Sequence, residues 1–242
     1  MGPLARADLE SLLRTRKLDV TLTSARPLVD AAARPEDAVA TGIDPLDRRL
    51  GGGLPRGQVS SIAGPPSSGR TSLLCGLLAS ATAGGELAAL IDTRDTFDPE
   101  SAAAAGVALS QLLWVRGGPV SSADSLASTV ERQVDRALKA LTLVLQAGGF
   151  GLVALDLADV APIVVRRLPF TTWLRLARIV EGGRTACVLV GAQPIARSPG
   201  GVTMALEAGR SASRWSGAHD RARLFRGFDL KPRVVSARTA VA

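Results

Sequence analysis

The sequence predicts an α/β protein: a mostly parallel central sheet with helices on both faces, a P-loop at one strand end, and a short helical arm at the amino terminus. Three observations carry this. First, the segments 59–63, 87–92, 112–115, 152–156 and 186–190 are apolar almost throughout. Strands that do not alternate with polar residues are buried on both faces, as in parallel sheets. Second, these segments alternate with helical patterns, the order that layers helices over a sheet. Third, Gly64-Pro65-Pro66-Ser67-Ser68-Gly69-Arg70-Thr71-Ser72 joins the first strand to a helical pattern carrying Leu73, Leu74, Leu77 and Leu78. A glycine-bounded loop between strand and helix converges backbone N–H groups and the positive helix end on an anion. Its spacing fits G-x-x-x-x-G-K-S/T at every position but one, where Arg70 replaces Lys.

Taken in order, residues 4–17 read as an amphipathic helix with Leu4, Leu9, Leu12 and Leu13 apolar. A short strand, Asp19 to Leu22, follows, and residues 24–40, rich in Ala, Pro and charge, read as a linker. This arm, 1–40, packs either on its own domain or on a neighbouring subunit. The core, 41–205, opens with Thr41-Gly42-Ile43-Asp44-Pro45 and the cluster Gly51-Gly52-Gly53-Leu54-Pro55-Arg56-Gly57, a tight approach to strand Gln58 to Ala63. A helix is expected over 122–146, because Leu126, Val130, Val134, Leu138, Leu141 and Leu145 draw one apolar stripe. Ser121-x-x-Asp124 resembles a capping box at its start, and Gly148-Gly149 stops it. Strand Leu152 to Asp156, helix Thr171 to Glu181 and strand Ala186 to Val190 complete the pattern. In the tail, 206–242, and just before it, shorter strands are expected over 204–209, 221–227 and 234–238 as an antiparallel extension.

With 242 residues, 46% of them hydrophobic, the chain suffices for one full α/β domain with short additions. A charge of +7 permits an anionic partner such as nucleic acid. Lysine occurs only at Lys17, Lys139 and Lys231, so nearly all the positive charge is arginine, which compositional bias alone also produces. Cys75 and Cys187 fall in a predicted helix and strand, the placement of buried thiols in a reducing compartment rather than of a disulfide framework. Charges at Arg6, Asp8, Glu10, Arg14, Arg16 and Lys17 interrupt any signal-peptide pattern. No apolar run approaches the roughly 18 residues of a membrane span. A cytoplasmic location without membrane contact is the expectation.

Ligands of such sheets sit at the carboxyl ends of the strands. There the sequence places the loop residues Gly64, Ser67, Ser68, Gly69, Arg70, Thr71 and Ser72, with Asp156 and Gln193 at two further strand ends. Asp156, a carboxylate closing an apolar strand, and the Thr71 hydroxyl are the candidate Mg²⁺ ligands. Gln193 is placed to sense a terminal phosphate.

From residue 41 to about 205 the chain resembles RecA-type recombinases. Thr41-Gly42, Gly52-Gly53-Leu54-Pro55-x-Gly57, the loop, Ile91-Asp92, Asp98-Pro99, Ala105-Gly106-Val107 and Gln193 fall in that family's order and spacing. The arm resembles the family's subunit-exchange arm. The departures bear on function. The family's phosphate-binding Lys falls on Arg70, its catalytic Glu on Arg94, and its adenine-stacking Tyr on Ser101 in a chain without tyrosine. Arginine keeps the charge but is a bulky planar fork, not a compact point donor. Replacing a carboxylate with a guanidinium removes the group that would accept a proton or orient water, and losing such a group costs about 10²–10⁴-fold in rate. Losing the aromatic stack removes about 1–3 kcal/mol of base binding, by analogy with nucleic-acid stacking. Asp95, one residue on from Arg94, is not expected to substitute. No catalytic residue is therefore expected, and ATP with Mg²⁺ is expected to bind weakly if at all.

Among RecA relatives, the Ser-Ser-Gly-Arg-Thr-Ser loop and the short chain look most like the ImuA proteins. That resemblance implies a nucleoid-associated accessory role in DNA-damage-induced mutagenesis, the SOS response and translesion synthesis. The implied partners are an ImuB-like inactive Y-family polymerase homologue, an error-prone replicative-type polymerase and RecA, with self-association as a further expectation. The alternative is an ATP-dependent DNA recombination and repair protein, a DNA-stimulated ATPase with a variant loop. In recombinases two loops grip single-stranded DNA. Here they fall near Asp159 to Pro169, with Arg166 and Arg167, and near Ala196 to Thr203, with Arg197. Arginines there would hold phosphates, or the segments are ordinary solvated loops. The tail arginines, Arg210, Arg214, Arg221, Arg223, Arg226, Arg233 and Arg238, form the densest basic tract. Trp173 and Trp215 read as packing residues, and His219 as a lone surface histidine.

Overall fold

The computed structural model describes residues 35–118, 127–195, 201–208, 212–217 and 224–236. The expected helix over 4–17, the strand Asp19 to Leu22, Ser121 and Asp124, Arg197, His219, and Arg210, Arg221, Arg223 and Arg238 lie outside these residues.

The described elements are β1 (Ala38–Val39), α1 (Asp44–Leu50), β2 (Leu54–Pro55), β3 (Val59–Ala63), α2 (Arg70–Ala83), β4 (Leu87–Asp92), α3 (Pro99–Ala104) and β5 (Leu112–Arg116). They continue as α4 (Ala127–Ala147), β6 (Phe150–Leu157), α5 (Pro162–Arg167), α6 (Phe170–Val180), β7 (Ala186–Gly191), β8 (Thr203–Ala205), β9 (Ala212–Ser216), β10 (Leu224–Asp229) and β11 (Arg233–Ser236). Seven strands form one sheet in the order β11-β8-β3-β7-β6-β4-β5. β3 to β8 run parallel, and β11 is antiparallel to β8 at the edge. The α/β fold with a mostly parallel sheet and a P-loop is thus present.

Why the strands lack alternation is visible in the packing. Leu90, Leu152, Ala154 and Val188 face a core layer with Leu73, Leu74, Leu77 and Leu78 of α2. Their neighbours Ala89, Ile91, Val153, Leu155 and Leu189 face the opposite layer, with Val134, Leu138, Leu141 and Leu145 of α4 and Trp173 and Leu176 of α6. Each strand feeds two cores, so both of its faces are apolar. Val134, Leu138, Leu141 and Leu145 of the α4 stripe are buried and Val130 is half-buried, while Leu126 lies outside the described residues; Trp173 is a packing residue. Cys75 and Cys187 are free, buried thiols, and burial pushes Cys187 up to about 12.

Several elements differ from expectation. Residues 159–169, expected as a loop, contain α5, with Pro162 in its first turn. Proline is pre-set for that position and lacks only an N–H that would have no intrahelical partner. α3 begins at Asp98, whose carboxylate accepts from the Glu100 and Ser101 amides, followed by Pro99. β8 pairs parallel with β3, not antiparallel. β9 and β10 form their own antiparallel ladder, separate from the main sheet. Among the described residues no helix is long and apolar enough to cross a membrane.

Candidate phosphate-binding site

β3 is buried over all five residues and runs out at Ala63 into the loop. The Gly64 amide donates to the Gly191 carbonyl at the end of β7 (3.1 Å), which ties the loop's start to the neighbouring strand. A Cβ at Gly64 would lie 2.3 Å from Ser68 Oγ and 3.0 Å from the Leu206 carbonyl oxygen, so only glycine fits there. Ser67, at φ 60°, and Gly69, at φ 91°, turn the chain through the left-handed region. The turn delivers it to α2, where Leu73 N–H closes onto Gly69 O at 2.9 Å. Thr71 and Ser72 are exposed on the first helical turn. The backbone shape that suits a phosphate is present.

Arg70 departs from that pattern in its position as well as its type. Its side chain is buried (7% exposed). Nη1 donates to the Gly64 carbonyl at 2.8 Å, and Nη2 to Asp159 Oδ1 at 2.9 Å. The guanidinium therefore bridges the first residue of the loop and the segment after β6, with both arms of the fork engaged.

Asp156 lies in register with Asp92 of β4 and Val190 of β7. Its Oδ1 accepts from the Ala158 amide at 2.8 Å. Burial pushes its carboxyl up to about 6, helped by the Asp92 and Asp159 carboxylates and opposed by the Ala158 hydrogen bond and by Arg70. The folded chain thus holds a proton that the unfolded chain, at 3.8, releases. Stability linked to this group is full below about pH 4 and falls as pH rises through about 6. Asp156→Asn is expected to stabilise the fold by about 1–2 kcal/mol at pH 7.5, allowing for partial exposure, and by nothing at pH 3.5. Urea unfolding at the two pH values checks this, and a pH-independent difference contradicts it. As a site for Mg²⁺, Asp156 and the Thr71 hydroxyl supply oxygen donors of the right kind. A hard cation that keeps several waters asks little more of the protein. Among the described residues no cluster of three or more His, Cys, Asp or Glu is placed to hold a metal.

The other positions serve the scaffold. Asp92 is 1% exposed, and its carboxylate accepts from Thr96 N, Phe97 N and Trp114 Nε1 at 3.1, 2.9 and 3.3 Å, fixing the turn after β4. In that turn Arg94 Nη1 reaches Gln133 Oε1 on α4 at 3.1 Å. Asp95 is held by Arg116 through two bonds of 2.7 and 2.8 Å, and this pairing keeps the Asp95 carboxyl below its usual range. Arg116 also stacks 4.6 Å from the Trp114 ring centroid. Ser101 bonds back to Asp98 in the cap of α3. Arg166 donates to Gln193 Oε1, and both are exposed where α5 meets the end of β7. Arg167 pairs with Glu131 of α4 at 3.0 Å.

The loop and Asp156 thus come together at the carboxyl end of the sheet, while Arg94, Gln193, Arg166 and Arg167 bond to protein acceptors or donors. Sequence reasoning missed Asp159 as the partner of Arg70. The two are 89 positions apart, and no local spacing signals the contact.

Residues 19–157 match the family model described as RecA N-terminal domain, more than half of the 242 residues. Protein RecA of Trichodesmium erythraeum is 39% identical over 105 residues, 43% of this chain and 29% of that protein. Protein RecA of Acidothermus cellulolyticus is 37% identical over 140 residues, 57% of this chain and 36% of that protein. Protein RecA of Crocosphaera subtropica is 43% identical over 86 residues, 36% of this chain and 25% of that protein. The chain spans little more than a third, at most, of the length of these curated relatives. With the parallel sheet and the loop at the end of β3, these matches make the chain a member of the RecA family.

Proposed function

We propose that this chain is an accessory protein of DNA-damage-induced mutagenesis and translesion synthesis, of the ImuA type, that works by binding rather than by turning over ATP. One observation carries the reading: the Arg70 fork is spent on Gly64 of its own loop and on Asp159 of the segment after β6. Arg94, in place of a carboxylate, points to Gln133 and has no proton-accepting group to offer water. A RecA fold that does not turn over nucleotide still offers its surfaces to partners. Those partners are an ImuB-like polymerase homologue, an error-prone polymerase, RecA or a second copy of itself, in the cytoplasm at the nucleoid. The retained features, Thr71, Asp156 and the glycine-bounded loop, leave room for weak Mg²⁺–ATP binding and are what a recombinase reading would rest on.

The test is ATP hydrolysis with Mg²⁺, with and without single-stranded DNA, beside an Arg70→Lys, Arg94→Glu double variant and a binding assay against RecA and an ImuB-type partner. The natural chain is expected to show no DNA-stimulated turnover, at least about 10²-fold below an intact site, and to bind one of these partners. DNA-stimulated turnover by the natural chain, above that of the double variant, overturns the reading in favour of a recombination ATPase.

A further inference from the structure

Arg70 is a permanently charged group in a buried position, and such a group is held only where it is paired. Its charge partner is Asp159, which approaches from the solvent side and keeps half of its own side chain exposed (51%). The neighbouring charges at this strand end are the Asp92 and Asp156 carboxylates, in register on adjacent strands. An anion approaching the loop enters the field of three carboxylates: Asp92, buried in its own turn, Asp156, and Asp159, which already occupies the arginine. We propose that Asp159 is a built-in anion of the loop: its carboxylate takes the guanidinium arm that a polyphosphate would need, and so holds the site closed to phosphate until the pair is broken. This rests on the reading of the site as one with lost or weak nucleotide binding and names the residue that weakens it.

The physical basis is competition. Like charges near the mouth disfavour an incoming polyphosphate, and the two N–H groups bonded to Gly64 O and Asp159 Oδ1 are not available to phosphate. Neutralising Asp159 removes the repulsion and leaves Arg70 in place. Asp159→Asn removes the charge while leaving an acceptor that a polyphosphate displaces more readily than a carboxylate, and Asp159→Ala removes both the charge and the hold on Nη2.

The experiment titrates the full chain, its Asp159→Asn variant and an Asp159→Ala variant with inorganic tripolyphosphate and with Mg²⁺–ATP, read by calorimetry and by thermal shift at two salt concentrations. Both variants are expected to bind tripolyphosphate about tenfold or more tightly than the natural chain, with the gain shrinking at high salt. A further Arg70→Gln substitution is expected to abolish the gain. Equal or weaker binding by folded variants overturns the proposal. Failure of both variants to fold overturns it too, since the pair would then be structural and not displaceable. Hydrolysis is not the readout, so the two readings fail separately. ATP turnover by the natural chain sinks the accessory role and leaves the Asp159 comparison standing, whereas an unchanged Asp159→Asn affinity sinks the gate and leaves partner binding standing.

Discussion

Gly201→Ala is expected to destabilise the fold by about 3–5 kcal/mol and to loosen the β8–β11 edge of the sheet. A Cβ at this position would lie 1.8 Å from the Val59 carbonyl oxygen and 2.9 Å from the Ser60 nitrogen. Both are backbone atoms of, or bonded within, β3, a fully buried strand, so no flexible side-chain end is available to give way. The added methyl must therefore push the 201–206 segment off the sheet. That segment is held by Ser61 N–H to Val202 O (2.8 Å), Val202 N–H to Ser60 Oγ (3.1 Å) and Leu206 N–H to Ala63 O (2.7 Å). Breaking buried bonds of this kind costs more than their net worth of about 1 kcal/mol each, because the groups left behind are desolvated. Gly148→Ala is the matching control. Its φ is positive, 69°, and nothing lies within 4 Å of its added Cβ, so only the conformational cost of about 1 kcal/mol remains. Urea unfolding gives the stabilities, and hydrogen exchange at Val202 and Leu206 shows whether the edge opens first. A Gly201→Ala loss no larger than that of Gly148→Ala would contradict the argument.

The same edge shows where sequence reading stops. β3, β4, β6 and β7 were legible because each buries both faces, which writes itself into a run of apolar residues. The α4 stripe was legible because one helix face meets one core layer. β8 is only three residues long, and its partner strand lies 142 positions away at Ser61↔Thr203, so neither its parallel direction nor the close approach at Gly201 leaves a local trace. α5 lies where the resemblance places a DNA-gripping loop, and its six residues give too little periodicity to mark a helix. The Asp98-Pro99 start of α3 did carry a cap signal, an acceptor side chain followed by proline in the first turn. At the site, the loop itself could be read from glycine spacing and from strand and helix context. What its arginine does could not. The Gly64 contact follows from a bulky fork folding back on its own loop, but Asp159 and the Arg94–Gln133 contact depend on tertiary placement across 89 and 39 positions.

The second large effect concerns Arg70, and its sign separates two kinds of residue. A side chain kept for a ligand tends to be neutral or costly to the empty fold, so its removal leaves stability unchanged or raised. A side chain that completes the fold does the reverse. Arg70→Ala removes the donor to the Gly64 carbonyl and empties a buried volume between that carbonyl and the loop after β6. Breaking a fully buried ion pair costs about 3–5 kcal/mol. Here Asp159 is half exposed and rehydrates when released, which discounts the figure to about 2–3 kcal/mol. Arg70→Lys is expected to regain only part of this, because one ammonium does not reproduce a planar fork reaching two acceptors at 2.8 and 2.9 Å. Urea unfolding of both variants, combined with Asp159→Asn in a double-mutant cycle, gives the coupling energy directly, expected at about 1 kcal/mol. A stabilised Arg70→Ala chain would return this residue to a ligand-binding role. A destabilised one with measurable Asp159 coupling makes it part of the architecture, a loop residue whose charge is answered from within the chain.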